Sequence, residues 1–231
     1  MAGGKGTRMR PLTDHTPKPL LEVQGKPILH WSLLSLRDCV DRVLIVVNYL
    51  QEQVAAYMEQ QTLFANYQLV DQLPTPQGTG HALQCCRHSL ESESFIVING
   101  DDLFEASALK RLAAVELGVM TLLKNNMAPW GVVVTDGNGR VMRLHEKPPE
   151  GSYPLPVHVN IGAYKLNRSV FEHELSLSPR GEYEITDYVS YLASIQKTEV
   201  VPAAHWLPIG NPGDLAHARK LDIESIFFPH I

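Results

Sequence analysis

The sequence predicts an α/β fold built on a doubly wound, mainly parallel sheet. In the first half of the chain, short apolar runs alternate with stretches of helical pattern, which is the order of βαβ units. A chain of 231 residues is long enough to bury one substantial core and too short for a large second module. We therefore expect a single domain over residues 1–231.

Strands and helices are predicted from apolar runs and from the residues that bound them. The strands are expected at Val43–Val47, Tyr67–Val70, Phe95–Ile98, Val119–Leu123, Gly131–Thr135 and His158–Tyr164. The helices are expected at Pro27–Leu36, Gln51–Gln60, Thr79–Ser89 and Ala106–Val115. The turn Asp136-Gly137-Asn138-Gly139 predicts a hairpin, so the second half should carry an antiparallel addition to the sheet. Pro148–Pro156 is expected to be a surface loop.

Composition and charge exclude several classes of partner. The net charge of −5 argues against nucleic acid, and no apolar run approaches the roughly 18 residues of a membrane span. Cys39, Cys85 and Cys86 form neither a disulfide framework nor a metal-binding spacing, which fits the cytoplasm. The apolar Ile226-Phe227-Phe228 needs cover from the domain itself or from another subunit, so a homo-oligomer is left open.

The opening Gly3-Gly4-Lys5-Gly6-Thr7-Arg8 predicts a phosphate cradle. Glycines let backbone N–H groups approach an anion closely, because no Cβ obstructs them. Arg8 adds a guanidinium fork that matches phosphate oxygens, and Lys18, in Pro17-Lys18-Pro19-Leu20, adds a point charge. The glycines alone are equally compatible with a flexible turn beside a solvated basic patch. The sequence has no Gly-x-x-x-x-Gly-Lys-Ser/Thr spacing, which excludes a P-loop.

Two further segments carry candidate polar groups at strand ends. Asp101, in Asn99-Gly100-Asp101-Asp102, follows an apolar run and is predicted to be a Mg²⁺ ligand, because Mg²⁺ is commonly held by one or two carboxylates plus substrate phosphates. The alternative is an acidic turn that caps the helix near Ala106. Gln72 offers a donor and an acceptor together, which suits the edge of a pyrimidine. His81 is more simply explained as a helix-surface residue than as a catalytic one.

With Pro11-Leu12-Thr13, the opening segments resemble the N-terminal signature of the sugar-1-phosphate nucleotidyltransferases, which is Gly-Gly-x-Gly-Thr-Arg, Pro-Leu-Thr and Pro-Lys-Pro-Leu. The resemblance implies a Rossmann-like fold of the nucleotide-diphospho-sugar transferase type. It also implies a mainly nucleotide-binding half over 1–125 and a mainly sugar-phosphate-binding half over 126–231. The substrates it implies are a nucleoside triphosphate, with UTP favoured over dTTP, and glucose 1-phosphate or an N-acetylated hexosamine 1-phosphate.

The resemblance also assigns roles to individual residues. Arg8, Lys18 and Asp101 are expected to be catalytic, and Asp101 is expected to hold Mg²⁺. The residues expected to bind the nucleotide are Gly3, Gly4, Gly6, Thr7, Gln72, Gly78 and Thr79, of which the resemblance assigns Gln72, Gly78 and Thr79 to the base. Gln72 is the less secure of these, since it lies one residue further from Gly78 than the family pattern suggests. The residues expected to bind the sugar phosphate are Gly131, Glu146, Lys147 and Asn160, with Glu182 and Thr186 as weaker candidates.

The sequence departs from the family pattern at two places. Only Met1 and Ala2 precede Gly3, where the family has a hydrophobic strand, and we favour a true start further upstream over a sheet without its usual centre. In Trp206-Leu207-Pro208-Ile209-Gly210, Pro208 replaces the family's second Mg²⁺ carboxylate, so a weakened metal site is expected. Two alternative functions are left open, the first because of these two departures and the second because it shares the glycine loop. One is a nucleotide-sugar-binding regulatory domain with impaired catalysis, and the other is a cytidylyltransferase for a non-sugar phosphate.

Overall fold

The structure is a computed structural model that describes residue 1 and residues 3–229, so Ala2 lies outside the described part. The chain forms two compact units. Unit 1 comprises Met1–Pro76, Asn99–Lys110 and His205–Ile231, and unit 2 comprises Gln77–Ile98 and Arg111–Ala204. This division does not follow the boundary at residue 125, and the single domain with its two functional halves stays a prediction.

Unit 1 is an α/β unit in which strands from distant parts of the chain pair. Its elements are β1 (Glu22–Val23), β2 (Lys26–Pro27), α1 (Ile28–Leu36), β3 (Val43–Val47), α2 (Gln51–Gln60), β4 (Tyr67–Asp71), β6 (Asp102–Phe104), β12 (Trp206–Pro208), α6 (Pro212–Ala218) and α7 (Ile223–Phe227). Strands β3 and β4 are parallel and α2 connects them, which is the predicted βαβ unit. Strands β6 and β12 are antiparallel although about 100 residues separate them along the chain.

The apolar segment near the C-terminus is buried within unit 1. Phe228 is 6% exposed, and its ring stacks on that of Trp31 with centroids 5.6 Å apart. Phe227 is buried in the same cluster, together with Met9 from the opening segment and Ile209. The sequence leaves open whether this apolar segment is buried by the domain itself or by another subunit. The structure shows that the chain itself buries it. Burying these side chains provides much of the apolar stabilisation of unit 1.

Unit 2 is organised around a mixed sheet. Its elements are α3 (Thr79–Cys85), β5 (Ser94–Ile98), β7 (Gly118–Lys124), β8 (Val132–Thr135), β9 (Val141–His145), β10 (Val157–Asn167), α5 (Ile185–Ile195) and β11 (Glu199–Pro202). The strand order is β11-β7-β10-β8-β9, with β5 also paired to β10. The β7–β11 pair is parallel, whereas β10 is antiparallel to β5, β7 and β8. Helix α4 spans Ala106–Ala114, and the division between the two units falls within it, between Lys110 and Arg111.

The predicted elements are all present, with small shifts at their ends. Helix α3 ends at Cys85 rather than Ser89, because the residues that follow continue in i→i−3 turns. The predicted hairpin is formed by β8 and β9, and it joins the sheet through β10, so antiparallel pairing is more extensive than we expected. Within residues 1 and 3–229, no helix is both long and apolar enough to cross a membrane.

Candidate functional site

The glycine loop of unit 1 has a fixed shape around Gly6. Gly6 has φ +59°, a left-handed conformation that favours glycine. A Cβ there would lie 3.1 Å from Thr13 Cγ2 and 3.2 Å from Lys18 Cβ, so both conformation and space select glycine. The Thr13 hydroxyl donates a 2.8 Å hydrogen bond to the Gly6 carbonyl. The loop is therefore tied to the Pro-Leu-Thr segment that follows it.

The backbone donors of this loop are available to a ligand. Within the described residues, the N–H groups of Gly3 to Arg8 donate to no protein acceptor. Gly4, Lys5, Thr7 and Arg8 are exposed, Gly6 is half-buried and Gly3 is buried. A run of unsatisfied N–H groups on glycine-rich backbone is a concave anion-binding arrangement.

Lys18 and Asp101 form the shortest ion pair at this site. Lys18 Nζ lies 2.5 Å from Asp101 Oδ2, and their side chains are 9% and 40% exposed. Lys18 belongs to a 3₁₀ turn over Lys18–Leu20, and Asp101 follows β5 along the chain. The lysine is thus buried by its surroundings, while the carboxylate that it contacts reaches solvent.

Asp102 is a buried carboxyl beside Asp101. Burial raises the pKa of Asp102 well above its ordinary value, and the neighbouring Asp101 charge raises it further. Asn99 Nδ2 lies 3.3 Å from Asp102 Oδ2 and partly opposes this shift. In the β6–β12 register, Asp102 faces Pro208. The residue that departs from the family pattern is therefore the cross-strand neighbour of this carboxyl.

The donor set fits a partial Mg²⁺ site rather than a complete one. Within residues 1 and 3–229, no group of three or more acidic, histidine or cysteine side chains converges as a metal cage. Asp101 and Asp102 supply two carboxyls, and phosphate oxygens and waters commonly complete Mg²⁺ coordination. Asp101 is already paired with Lys18, and burial favours the neutral form of Asp102, so these two carboxyls suit a metal only when a phosphate ligand brings further oxygen ligands and charge.

Gln72 lies directly beside the glycine loop. Its side chain is 3% exposed, and its Oε1 would be 3.0 Å from a Cβ placed on Gly3. The Gln72 carbonyl accepts a 3.0 Å hydrogen bond from Asn48 Nδ2, and its N–H donates to the Val47 carbonyl at 2.9 Å. Gln72 therefore lies against Gly3, which makes Gly3 a position of close approach, and the role of Gln72 in binding the nucleotide stays a prediction.

Gly78 and Thr79 belong to unit 2, where they contact the segment before α5. Gly78 has φ +103°, and a Cβ there would lie 2.4 Å from the Tyr183 carbonyl oxygen and 2.9 Å from Glu182 Cβ. The Thr79 hydroxyl accepts a 3.0 Å hydrogen bond from the Ile185 N–H at the start of α5. The two residues predicted to read the base thus also have structural reasons for their identity.

Three of the predicted sugar-phosphate residues are brought together in unit 2. A Cβ on Gly131 would lie 3.1 Å from Glu146 Oε1, and the Gly131 carbonyl accepts a 2.8 Å hydrogen bond from the Asn160 N–H. The Asn160 amide is oriented on both sides: its Nδ2 donates to Tyr164 Oη at 2.8 Å and its Oδ1 accepts from the Gly162 N–H at 3.2 Å. The register between β10 and β7 shifts between Asn160 and Tyr164, so both partners of the Asn160 amide lie in or at the end of this irregular stretch.

Glu146 sits in a group of charges that sequence reasoning did not assemble. Glu146 is exposed as a residue, but partial loss of hydration at its carboxyl raises its pKa, and the Arg180 guanidinium opposes that rise. Arg180 itself lies 2.7 Å from Glu184 Oε1, which also accepts from the Ser178 hydroxyl at 3.1 Å. Lys147, beside Glu146, has φ +44° and is exposed. The charged residues around Glu146 indicate that Arg180 belongs to the same polar region; it lies just before the candidates Glu182 and Thr186 but is not itself predicted from the sequence.

The remaining candidates in unit 2 are Glu182, Thr186 and His81. Thr186 is 5% exposed within α5, and Glu182 is exposed. His81 lies in α3 with Nε2 3.7 Å from Cys85 Sγ and its ring 6.5 Å from that of Tyr183. Burial lowers the pKa of His81, so the neutral imidazole is favoured. Nothing in these contacts assigns His81 a catalytic part.

Together these features define an α/β protein whose unit 1 carries a glycine loop and a lysine–carboxylate pair and whose unit 2 carries a cluster of polar and charged groups. The chain matches the family described as Nucleotidyl transferase over residues 1–225, and it belongs to that family. The family assignment that the signature motifs predicted is therefore confirmed.

Relatives and solved structures agree with the assignment. The chain is 32% identical over 231 residues to the bifunctional protein GlmU of Methanocaldococcus jannaschii, covering 98% of this chain and 54% of that protein. It is 30% identical to the UTP–glucose-1-phosphate uridylyltransferase AglF of Haloferax volcanii, covering 95% and 93%. The chain spans about half the length of the GlmU relatives it matches. A crystal structure of apo UDP-glucose pyrophosphorylase superposes with a TM-score of 0.83 at 21% identity, covering 94% of each chain, which confirms the fold.

Proposed function

We propose that this chain transfers a nucleoside monophosphate from a nucleoside triphosphate to a sugar 1-phosphate, giving a nucleotide sugar and pyrophosphate. The observation that carries the proposal is the glycine loop, in which the N–H groups of Gly3 to Arg8 find no acceptor among the described residues. An anionic ligand of the size of a triphosphate satisfies several such donors at once. Membership of the nucleotidyl transferase family supports the same reaction class.

The proposed reaction needs no nucleophile from the protein. An oxygen of the sugar phosphate attacks the α-phosphorus in line, the bond from that phosphorus to the bridging oxygen breaks, and pyrophosphate leaves with the electron pair. Such transfers depend mainly on positioning and on stabilising charge on the leaving oxygens. We assign Arg8 to the leaving pyrophosphate and Lys18 to the reacting phosphates. Gly3, Gly4, Gly6 and Thr7 supply the backbone donors.

Mg²⁺ is the cofactor that the proposal includes. When bound with the triphosphate, it supplies charge neutralisation and orientation of the phosphate oxygens. Asp101 would hold it, with Asp102 beside it, and Lys18 would keep Asp101 in place through the 2.5 Å ion pair. Pro208 offers no carboxylate, so this chain's own contribution to the metal site is smaller than in the family pattern.

UTP with glucose 1-phosphate is our first choice of substrate pair. The support is the 30% identity to the Haloferax volcanii uridylyltransferase, whose name states UTP and glucose 1-phosphate, over 93% of its length. Gln72 beside the loop offers an amide that suits a pyrimidine edge. Gly131, Glu146, Lys147 and Asn160 are the proposed sugar-phosphate residues. The few cysteines, without a disulfide framework, support the cytoplasm as the compartment.

The test is a pyrophosphate-release assay with Mg²⁺ over a grid of triphosphates and acceptors. The triphosphates are UTP, dTTP, CTP, ATP and GTP, and the acceptors are glucose 1-phosphate, N-acetylglucosamine 1-phosphate and phosphocholine. We expect the highest turnover with UTP or dTTP and a sugar 1-phosphate. Highest turnover with CTP and phosphocholine would favour a cytidylyltransferase instead. Binding of a nucleotide sugar without pyrophosphate release under any condition would indicate the impaired regulatory domain, for which Pro208 is the motivating residue.

A further inference from the structure

The segment after β3 contacts the glycine loop and its continuation at several points. We call residues 48–53 the brace. We propose that Tyr49 of the brace is a positioning residue for the phosphate cradle, acting on it through Thr13. This inference rests on the proposed function, because it assumes that the glycine loop binds the phosphates of a nucleotide.

Tyr49 and Gln53 hold three successive carbonyl groups of the segment after the loop. The Tyr49 hydroxyl lies 2.9 Å from the carbonyl oxygens of both Thr13 and Asp14, to which it donates a three-centre hydrogen bond. Gln53 Nε2 donates a 2.9 Å hydrogen bond to the His15 carbonyl. Three consecutive peptide units are therefore fixed by two side chains of one short segment.

The Thr13 contacts carry this restraint back to the loop itself. Thr13 is 1% exposed, its carbonyl accepts from Tyr49, and its hydroxyl donates to the Gly6 carbonyl at 2.8 Å. Gly6 is the residue whose φ of +59° turns the loop, and Thr13 Cγ2 is the nearest atom to a Cβ placed there. Tyr49 thus lies two hydrogen bonds away from the turn that orients the backbone donors.

The backbone of the brace indicates that this placement is specifically maintained. Leu50 has φ +49°, an uncommon conformation for a residue with a branched side chain, at the point where the chain enters α2. The same segment begins beside Gly3, because a Cβ on Gly3 would lie 3.3 Å from the Val47 carbonyl carbon and 3.5 Å from the Asn48 nitrogen. The brace therefore lies against the loop at Gly3, its first glycine. It also contacts residues 13–15, which follow Gly6, the last glycine of the loop.

The chain offers a matched control for the loss of one hydroxyl. Tyr57 lies on α2, four residues beyond the brace, and its hydroxyl is 3.3 Å from His30 Nδ1. Tyr57→Phe removes a part-buried hydroxyl from the same unit without touching any residue of the loop. A general effect of losing a tyrosine hydroxyl should appear in both variants, whereas a positioning effect should appear only in Tyr49→Phe.

The experiment compares Tyr49→Phe and Tyr57→Phe with the unaltered chain, using inorganic pyrophosphate binding by calorimetry and steady-state pyrophosphate release. We expect Tyr49→Phe to weaken pyrophosphate binding and to lower kcat/KM for the triphosphate, each by about tenfold, because small misplacement of binding groups is costly. The KM for the sugar 1-phosphate should stay unchanged. Tyr57→Phe should match the unaltered chain in all three quantities.

A double-mutant cycle with Thr13→Val tests the route through Thr13. If Tyr49 acts through Thr13, the two substitutions together should lower kcat/KM and pyrophosphate affinity by less than the product of their separate effects. Fully multiplicative effects, or equal losses in Tyr49→Phe and Tyr57→Phe, would overturn the inference. If the unaltered chain binds pyrophosphate but shows no turnover, the proposed reaction is wrong, and the pyrophosphate affinity of Tyr49→Phe measured by calorimetry still decides the role of Tyr49. Absence of pyrophosphate binding in the unaltered chain would overturn both.

Discussion

Substituting alanine for Gly78 tests whether this glycine is required by the fold itself. Its φ of +103° is a conformation that L side chains rarely adopt, and imposing it costs about 1–3 kcal/mol. The added Cβ would also lie 2.4 Å from the Tyr183 carbonyl oxygen and 3.0 Å from the Tyr183 nitrogen, both backbone atoms. These atoms cannot move aside as the tip of a flexible side chain could.

Moving the Tyr183 backbone would disturb two hydrogen bonds. The Tyr183 carbonyl accepts from the Gly80 N–H at 2.8 Å, and the Tyr183 N–H donates to the Gln77 carbonyl at 2.8 Å. Each such bond contributes about 0.5–1.5 kcal/mol net. With the conformational cost, Gly78→Ala should lower the free energy of unfolding by about 2–6 kcal/mol, a large part of the about 5–15 kcal/mol of an ordinary domain.

Urea denaturation followed by circular dichroism measures this loss, and Gly137→Ala is the matched control. A Cβ on Gly137 would meet no atom within 4 Å, so that variant should stay within about 0.5 kcal/mol of the unaltered chain. The Tm of Gly78→Ala should fall by on the order of 10 °C. A Gly78→Ala variant that unfolds at the same urea concentration as Gly137→Ala would refute the structural explanation and leave contact with the base as the reason for a glycine.

Three further predictions concern the charged groups. Arg8→Ala should lower turnover by on the order of 10² with little change in Tm, and near-normal turnover would make Arg8 a surface residue. In Mg²⁺ titrations of activity, Pro208→Asp should lower the Mg²⁺ concentration that gives half-maximal rate, and Asp101→Ala should abolish metal-dependent turnover. If folded variants give the same titration as the unaltered chain, the proposed position of the metal is wrong. Because lost hydration raises the folded pKa of Glu146, its ionised form costs stability at neutral pH. Glu146→Gln should therefore raise the free energy of unfolding at pH 7. The gain should vanish below about pH 4, where the Glu146 carboxyl is protonated in both the folded and the unfolded chain. A gain in unfolding free energy that does not depend on pH would exclude this cause.

The parts of the structure that the sequence predicts well depend on local interactions. Helix α2 has the predicted bounds, Gln51–Gln60. The hairpin at Asp136–Gly139 forms because the Asp136 carboxylate accepts the N–H groups of Asn138 and Arg140, two and four residues on. In both elements the decisive contacts lie within a few residues, so the pattern of residue types is sufficient.

The parts that were missed depend on contacts between distant residues. The pairing of Asp102 with Pro208 requires a register between strands that are about 100 residues apart along the chain. Arg180 and Glu184 pair locally at i and i+4, but their position near Glu146 follows from tertiary structure, in which α5 packs against β9. The signature motifs locate candidate residues, but their charge partners and burial follow from tertiary structure.

The interleaved path of the chain has a consequence for how unit 1 folds during synthesis. The cluster that buries Met9, Val23 and Trp31 is completed by Ile209 and Phe227, which are translated almost 200 residues later. Until that segment emerges, the N-terminal apolar side chains remain without their native cover and are exposed to non-native association. Closing so long a loop also makes the contact order high, which slows folding. We therefore expect nascent chains stalled before residue 205 to depend on chaperones. We also expect that a chain truncated at that point does not yield a soluble unit 1.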